Sequence, residues 1–292
     1  MKIKKHLKLV VVFMLAMPWS CLMGAENRLP VTLESTETYL LYSKRIKQHF
    51  LIDVFLPAGY QAKKSEHQFP KYPVIYILNS RPNAVMAAAQ RHVAEMSREI
   101  MVGIDYADKN GKPMHAFSAY TRDLTPTADR DWMQVKFAGE GGGAEAFLDF
   151  INNEVKPLIN TNYTVNKNDQ TLVGHSFGGL FGLFVLLKHT DSFERYVICS
   201  PSLWWDEGVS KVFEEEYAGS HENMQKKVFM SVGAKEFKSG QQDIFNNTQR
   251  MVEKIKSRKY PDLQLEFTIF EDETHDSVVG PSIHKGLGFV FN

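Results

Sequence analysis

The segment Gly174-His175-Ser176-Phe177-Gly178-Gly179 has the residue types and spacing for nucleophilic catalysis on a carbonyl. A serine hydroxyl is a weak nucleophile until a base takes its proton. The G-x-S-x-G pattern suits this chemistry when a strand leads in and a helix leads out, because the sharp turn lifts the serine clear of the sheet. Both flanks are present. Thr171-Leu172-Val173 is strand-like, and Leu180 to Leu187 is an apolar helical run. Side chains flanking the serine would collide with the neighbouring strand and helix, so Gly174, Gly178 and Gly179 are all expected to clear that space. The serine also stands at a helix N-terminus, which favours developing negative charge. The competing reading is a glycine-rich strand–helix turn with a merely hydrogen-bonded serine.

An activated serine needs a base, and the base needs an acid to fix its tautomer. In folds built around such an elbow the order is Ser, then Asp or Glu, then His. Glu271-Asp272-Glu273-Thr274-His275-Asp276-Ser277 follows the last strand-like run, so His275 is the expected base. His189 falls at the far end of the helix after the elbow, His221 in a charged stretch, and His284 in an expected C-terminal helix. Glu236, in Val232-Gly233-Ala234-Lys235-Glu236 just past a strand, is the expected acid, with Asp206 and Asp272 as rivals. An oxyanion hole needs two donors. The N–H of Phe177 is expected to be one, and Ser80, in Asn79-Ser80-Arg81 after an earlier strand, the other. Asn79-Ser80 could equally cap the next helix.

The elements that must position these groups alternate along the chain. Glu37–Tyr42 and Ile46–Leu56 suggest an antiparallel strand pair. Tyr72–Leu78 is a continuous apolar run, as in a parallel strand buried on both faces. Further strands are expected at Glu99–Ile104, Gln170–Val173, Tyr196–Cys199, Val228–Val232 and Leu263–Phe270. Residues 82–97 look helical. Phe147, Leu148, Ile151, Val155, Leu158 and Ile159 share a helix face, as do Ile244, Met251, Val252 and Ile255. Strands alternating with helices imply an α/β fold with a mostly parallel sheet covered on both sides. Between Asp105 and about Gly143 little periodicity shows. Loops of that length are usually functional, and this one leaves the strand end where such folds bind ligands.

The chain has 292 residues and 34 basic against 34 acidic side chains, and no basic stretch interleaves with aromatics, so nucleic-acid binding finds no support. Residues 1–25 differ from the rest. Lys2, Lys4, Lys5 and Lys8 precede the apolar run Leu9–Met17, and Gly24 and Ala25 follow. This is the pattern of a secretory signal peptide, too short for a comfortable membrane span; an uncleaved anchor is the alternative. Cys21 follows a poor lipobox, because Trp19 stands where a small or aliphatic residue is usual. Removal of residues 1–25 leaves 30 basic and 34 acidic side chains and Cys199 alone, so no intramolecular disulfide can form. Cys199 sits in an apolar run and reads as a small packing residue. Residues 26–292 read as one domain in the periplasm or outside the cell.

Taken together, several segments resemble the Putative esterase family of α/β-hydrolases, which includes S-formylglutathione hydrolases, feruloyl esterases and siderophore (enterobactin-type) esterases. They are Ile52-Asp53-Val54-Phe55-Leu56-Pro57, Tyr72–Leu78, Arg122-Asp123-Leu124-Thr125-Pro126, Gly174–Gly179, Ser200-Pro201-Ser202-Leu203-Trp204-Trp205 and Thr274-His275. The resemblance implies an α/β-hydrolase fold and carboxylic ester hydrolysis through Ser176 and His275. It favours Glu236 as acid, since Gly233-x-x-Glu236 is similar to the family's Gly-x-x-acid. It also admits a Ser–His dyad, as some siderophore esterases of the family look like dyads. Asn79-Ser80 departs from the family's Asp-Gly after the Tyr72–Leu78 strand.

The implied reaction requires no metal or cofactor, and the histidines lack ligand-like spacing. Its substrate would be a small-molecule ester: a siderophore, a polysaccharide-linked ester or another envelope ester. Trp204 and Trp205 could wall an aromatic pocket or pack the core. Arg122 could bind polar substrate groups or pair with Asp123. An acyltransferase or peptidase using the same residues, and a non-catalytic binding protein on this scaffold, are the alternatives.

Overall fold

The computed structural model describes residues 35–61, 71–78, 87, 98–114, 117–128, 141–238 and 242–292. The expected signal segment and Ser80 therefore lie outside the described residues, as does the expected helix 82–97 except for Ala87, which is helical and buried. Residues Ser35–Asn292 form one compact unit.

Eight strands make one sheet: β1 (Thr36–Ser43), β2 (Gln48–Phe55), β3 (Tyr72–Leu78), β4 (Ile100–Ala107), β5 (Val165–His175), β6 (Arg195–Cys199), β7 (Lys227–Gly233) and β8 (Gln264–Phe270). Their spatial order is β1-β2-β4-β3-β5-β6-β7-β8. β1 and β2 pair antiparallel, β2 meets β4 antiparallel, and every pairing from β4 to β8 is parallel. Side chains of period two sort onto two faces. Tyr76, Leu172, Tyr196, Ile198, Val228 and Met230 join one buried cluster. Ile75, Ile77, Val173, Val197, Cys199 and Phe229 join the other.

The described helices are α1 (Phe117–Leu124), α2 (Ala144–Phe150), α3 (Lys156–Asn162), α4 (Phe177–Lys188), α5 (Ser210–Ser220), α6 (Ala234–Lys238), α7 (Gln242–Ser257) and α8 (Val279–Phe291). A π turn, Ile151–Val155, joins α2 to α3. Pro157 follows within the first positions of α3. A proline ring crowds the carbonyl four residues back and brings no N–H, and the wider turn before it relieves that conflict. α4 is apolar all round, and Phe177 to Leu187 is buried throughout, as befits a helix enclosed by neighbours. On the other face α8 lays Val279, Ile283, Leu287 and Val290 against the sheet.

Within the stretch Asp105–Gly143, the described residues hold more regular structure than the lack of periodicity suggests. β4 runs on to Ala107, and α1 follows. The buried positions of α1 are Ala119, Thr121, Asp123 and Leu124, a face too polar to register as an apolar repeat. Asp123 is buried because Arg122 pairs with it at 2.6 and 2.7 Å and Tyr106 donates to it at 3.1 Å. Among the described residues no helix is long and apolar enough to cross a membrane.

Candidate active site

The ends of four adjacent parallel strands, β5 to β8, carry the residues of interest. Ser176 links β5 directly to α4 with φ 57° and ψ −117°, a left-handed φ that a non-glycine residue adopts only when its surroundings enforce it. Three backbone bonds enforce it here. The Ser176 N–H donates to Cys199 O at 3.0 Å, and Ser176 O accepts from Leu180 at 3.0 Å and from Ser202 at 3.1 Å. Two of the three glycines are required by space. A Cβ on Gly174 would lie 2.1 Å from Gly178 O, and one on Gly179 would lie 2.9 Å from Cys199 O. Gly178 differs from expectation: among the described residues a Cβ there would meet Leu78 Cβ at 3.6 Å, an ordinary contact.

The three residues chosen for chemistry meet. His275 Nε2 lies 3.0 Å from Ser176 Oγ, and His275 Nδ1 lies 2.9 Å from Glu236 Oε2. An ionised carboxylate only accepts, so Nδ1 carries the ring proton of the neutral histidine and Nε2 accepts from the serine. Glu236 is fully buried. Burial alone would raise its pKa, but hydrogen bonds from His275, Ser200 and Gly233 outweigh it and hold the carboxyl below its usual range. The Ser200 hydroxyl and the Gly233 N–H each donate to Oε1 at 2.7 Å. The reach from Glu236 back to Gly233 has the form of half a capping box at the start of α6.

Glycine at 233 also lets two loops close on each other. A Cβ there would lie 2.4 Å from Glu273 O, and the Lys235 N–H donates to that same carbonyl at 3.0 Å. The loop after β7 is thereby stitched to the loop after β8, and Glu236 to His275. A further clasp acts on the histidine. His175 Nε2 donates to the His275 carbonyl at 2.8 Å, with the two rings 4.5 Å apart. Desolvation and the neighbouring His275 push His175 down to about 3, so it stays a neutral donor.

The rival carboxylates lie elsewhere in the bonding pattern. Asp272 pairs with Lys235 at 3.4 Å, and Asp206 begins a short 3-10 turn with φ 44°. His189 binds Glu145, and His221 stacks on Tyr217. Cys199 is fully buried at the end of β6, where burial pushes its thiol up to about 12.

The aromatic pair divides. Trp204 is half-buried, with its ring 5.9 Å from that of Phe177. Trp205 is fully buried and donates its indole N–H to Thr127 O at 3.0 Å, so of the two readings left open, pocket wall or core packing, it takes core packing, which corrects its choice as a substrate-binding residue. Phe117, an exposed residue of α1, also reaches the Phe177 ring, at 5.9 Å. Arg122 is held by its two-bond pairing with Asp123, which occupies the guanidinium within the fold. Sequence reasoning passed over Ser200, Ser202 and His175. Their only signal was adjacency to the chosen residues in Gly174–Gly179 and Ser200–Trp205.

The Putative esterase family model matches residues 43–268, most of the chain, and the protein belongs to that family of hydrolases acting on esters. The match takes in Ser176 and Glu236 and ends before His275. The ferri-bacillibactin esterase BesA of Bacillus subtilis (strain 168) is 30% identical over 241 residues, covering 76% of this chain and 79% of its own. The siderophore triacetylfusarinine C esterase of Aspergillus fumigatus is 28% identical over 294 residues, covering 90% and 95%. The crystal structure of the BES protein from Bacillus cereus superposes with a TM-score of 0.73 at 29% identity, covering 90% of this chain and 97% of that one. With the sheet order above, these neighbours make the fold that of an α/β-hydrolase.

Proposed function

We propose that the protein is an exported serine hydrolase that cleaves carboxylic esters through an acyl-enzyme on Ser176, with residues 1–25 as its signal peptide, residues 26–292 as a single hydrolase domain and a periplasmic or extracellular place of work. The observation that carries the proposal is the unbroken hydrogen-bonded chain Ser176–His275–Glu236 at 3.0 and 2.9 Å. Ser176 Oγ attacks the ester carbonyl as His275 Nε2 takes its proton, and Glu236 stabilises the imidazolium. His275 returns the proton to the departing alcohol. Water then gives a proton to His275 and attacks the acyl-serine, and the acid leaves as Oγ recovers its proton. The N–H of Phe177, the first residue of α4, is one oxyanion donor, and Ser80 is the second.

The substrate class we favour is a siderophore ester. It is supported by the relatives named as esterases of bacillibactin and triacetylfusarinine C. The half-buried Trp204 and the exposed Phe117, each with its ring 5.9 Å from that of Phe177, offer the acyl or alcohol portion an aromatic surface. The test is release of p-nitrophenol from short acyl esters by the mature protein, beside Ser176→Ala. Turnover that vanishes in the variant is expected. Absence of turnover, together with no fluorophosphonate labelling of Ser176, would overturn the proposal and leave a binding protein on this scaffold.

A further inference from the structure

Ser200-Pro201-Ser202, which leaves β6, touches two members of the candidate triad at once. The Ser200 hydroxyl donates to Glu236, as described. Ser202 lies on the nucleophile itself, with its Oγ 3.2 Å from Ser176 Oγ and its N–H bound to Ser176 O at 3.1 Å. The segment is wedged in place. Ser200 has φ 41° and donates its N–H to Ser231 O at 2.8 Å, and Pro201 Cα sits where a Cβ on Gly179 would come within 3.0 Å. Ser202 is buried.

The direction of the Ser202 bond follows from proton counting. Ser176 has one hydroxyl proton, and donation to His275 Nε2 uses it. The contact between the two hydroxyls must then be made by the proton of Ser202, leaving one Ser176 lone pair for attack. A donor on Oγ does little for a neutral hydroxyl but much for an oxygen gaining negative charge. Oγ gains such charge twice. It does so as its proton passes to His275 in acylation, and again in deacylation, as the carbon–Oγ bond breaks while His275 returns the proton.

We infer that Ser202 is a fourth catalytic side chain, donating a hydrogen bond to Ser176 Oγ in both half-reactions, while Ser200 is a positioning residue that acts through Glu236. This rests on the serine-hydrolase reading above. The geometry requires no further reactant, because Ser202 keeps its proton throughout.

The test compares mature wild-type protein, Ser202→Ala, Ser202→Thr and Ser200→Ala. It reads fluorophosphonate labelling of Ser176, p-nitrophenyl ester turnover and the pH profile of kcat/KM. Ser202→Ala is expected to lower both labelling and turnover about tenfold to hundredfold, with Ser202→Thr recovering part of the loss. Among the described residues, the titratable groups that face the His275 ring are Glu236, on its Nδ1, and His175, 4.5 Å away. Ser202→Ala leaves them in place, so it should lower the plateau without moving the acid limb. Ser200→Ala removes a donor from Glu236, strengthens its hold on the imidazolium and should move that limb to higher pH. If Ser202→Ala melts early, its labelling is read below its own melting transition, with a circular dichroism spectrum that shows the fold retained. Labelling within about twofold of wild type in the variant lacking the hydroxyl, whatever its turnover, overturns the inference. An inert, unlabelled wild type overturns the hydrolase reading instead.

Discussion

Two polar contacts join the same two loops, and they differ in almost everything but sequence distance. Lys235 and Glu236 are neighbours after β7, while Asp272 and His275 lie close together after β8. Lys235 meets Asp272 at 3.4 Å with side chains 44% and 95% exposed, and Glu236 meets His275 at 2.9 Å with side chains 0% and 14% exposed. Water screens the first pair and leaves it little energy. The second has lost its water, and Glu236 is compensated bond by bond, by His275, Ser200 and Gly233. A buried charge with a partner removed is costly, so the buried pair is committed to its geometry and the exposed pair is free to come and go. Burial and donor count therefore separate the candidate acid Glu236 from its rival Asp272, where proximity in sequence to His275 favours Asp272.

The sharpest way to break this contrast is Glu236→Gln, which keeps shape and removes charge. A fall in kcat of about 10³–10⁴-fold is expected, by analogy with amide replacement of a triad acid. A fall below about tenfold would reduce the buried pair to a scaffold for a Ser–His dyad. Next in size is Gly233→Ala. Its new methyl must displace Glu273 O, so a stability loss of about 1–3 kcal/mol by urea unfolding is expected, together with reduced turnover, as the stitched loops separate.

Acid stability sharpens the comparison further. His175 titrates near 6.5 in the unfolded chain and is pushed down to about 3 in the folded one. As pH falls from 6.5 towards 3 the unfolded chain takes up the proton first, and stability declines. Glu236, held by its donors below the ordinary carboxyl value of 4.5, keeps its contribution above that pH and loses it only as pH falls through its lower folded value. His175→Gln should therefore flatten the decline of Tm between pH 6.5 and 4.5, whereas Glu236→Gln should lower Tm throughout that range and flatten the decline only below it. A Tm profile unchanged in His175→Gln would remove the neutral-donor role assigned to His175. The smallest effect belongs to Asp272→Asn, expected to leave kcat within about twofold and stability within about 0.5 kcal/mol. A larger loss would show that the exposed pair too is committed.

The strands were legible because buried parallel strands are written as short continuous apolar runs, and the boundaries of β3 and β6 to β8 fall within a residue or so of expectation. Ser176, His275 and Glu236 could be picked out because an elbow, chain order and strand ends leave few positions for them. What escaped depends on which side of a turn a side chain faces. α1 hides its buried face in Thr121 and Asp123. Trp204 and Trp205 are identical in type and adjacent, yet one backs the core and the other reaches the surface near Phe177. Ser200 and Ser202 carry no mark that one reaches an acid and the other a nucleophile. The left-handed turn at Ser200 sets that. The three elbow glycines look equivalent in sequence, but among the described residues only Gly174 and Gly179 meet backbone too closely to admit a Cβ.

The 99-residue separation of Ser176 from His275 has a consequence in time. A ribosome delivers the nucleophile, its turn and its helix long before the base. A chain that has reached only β7 can hold a formed elbow with no proton acceptor on it. On the proposed reading, reactivity at Ser176 thus requires β8 to dock and bring its loop over the sheet, and the appearance of activity during refolding would report that docking.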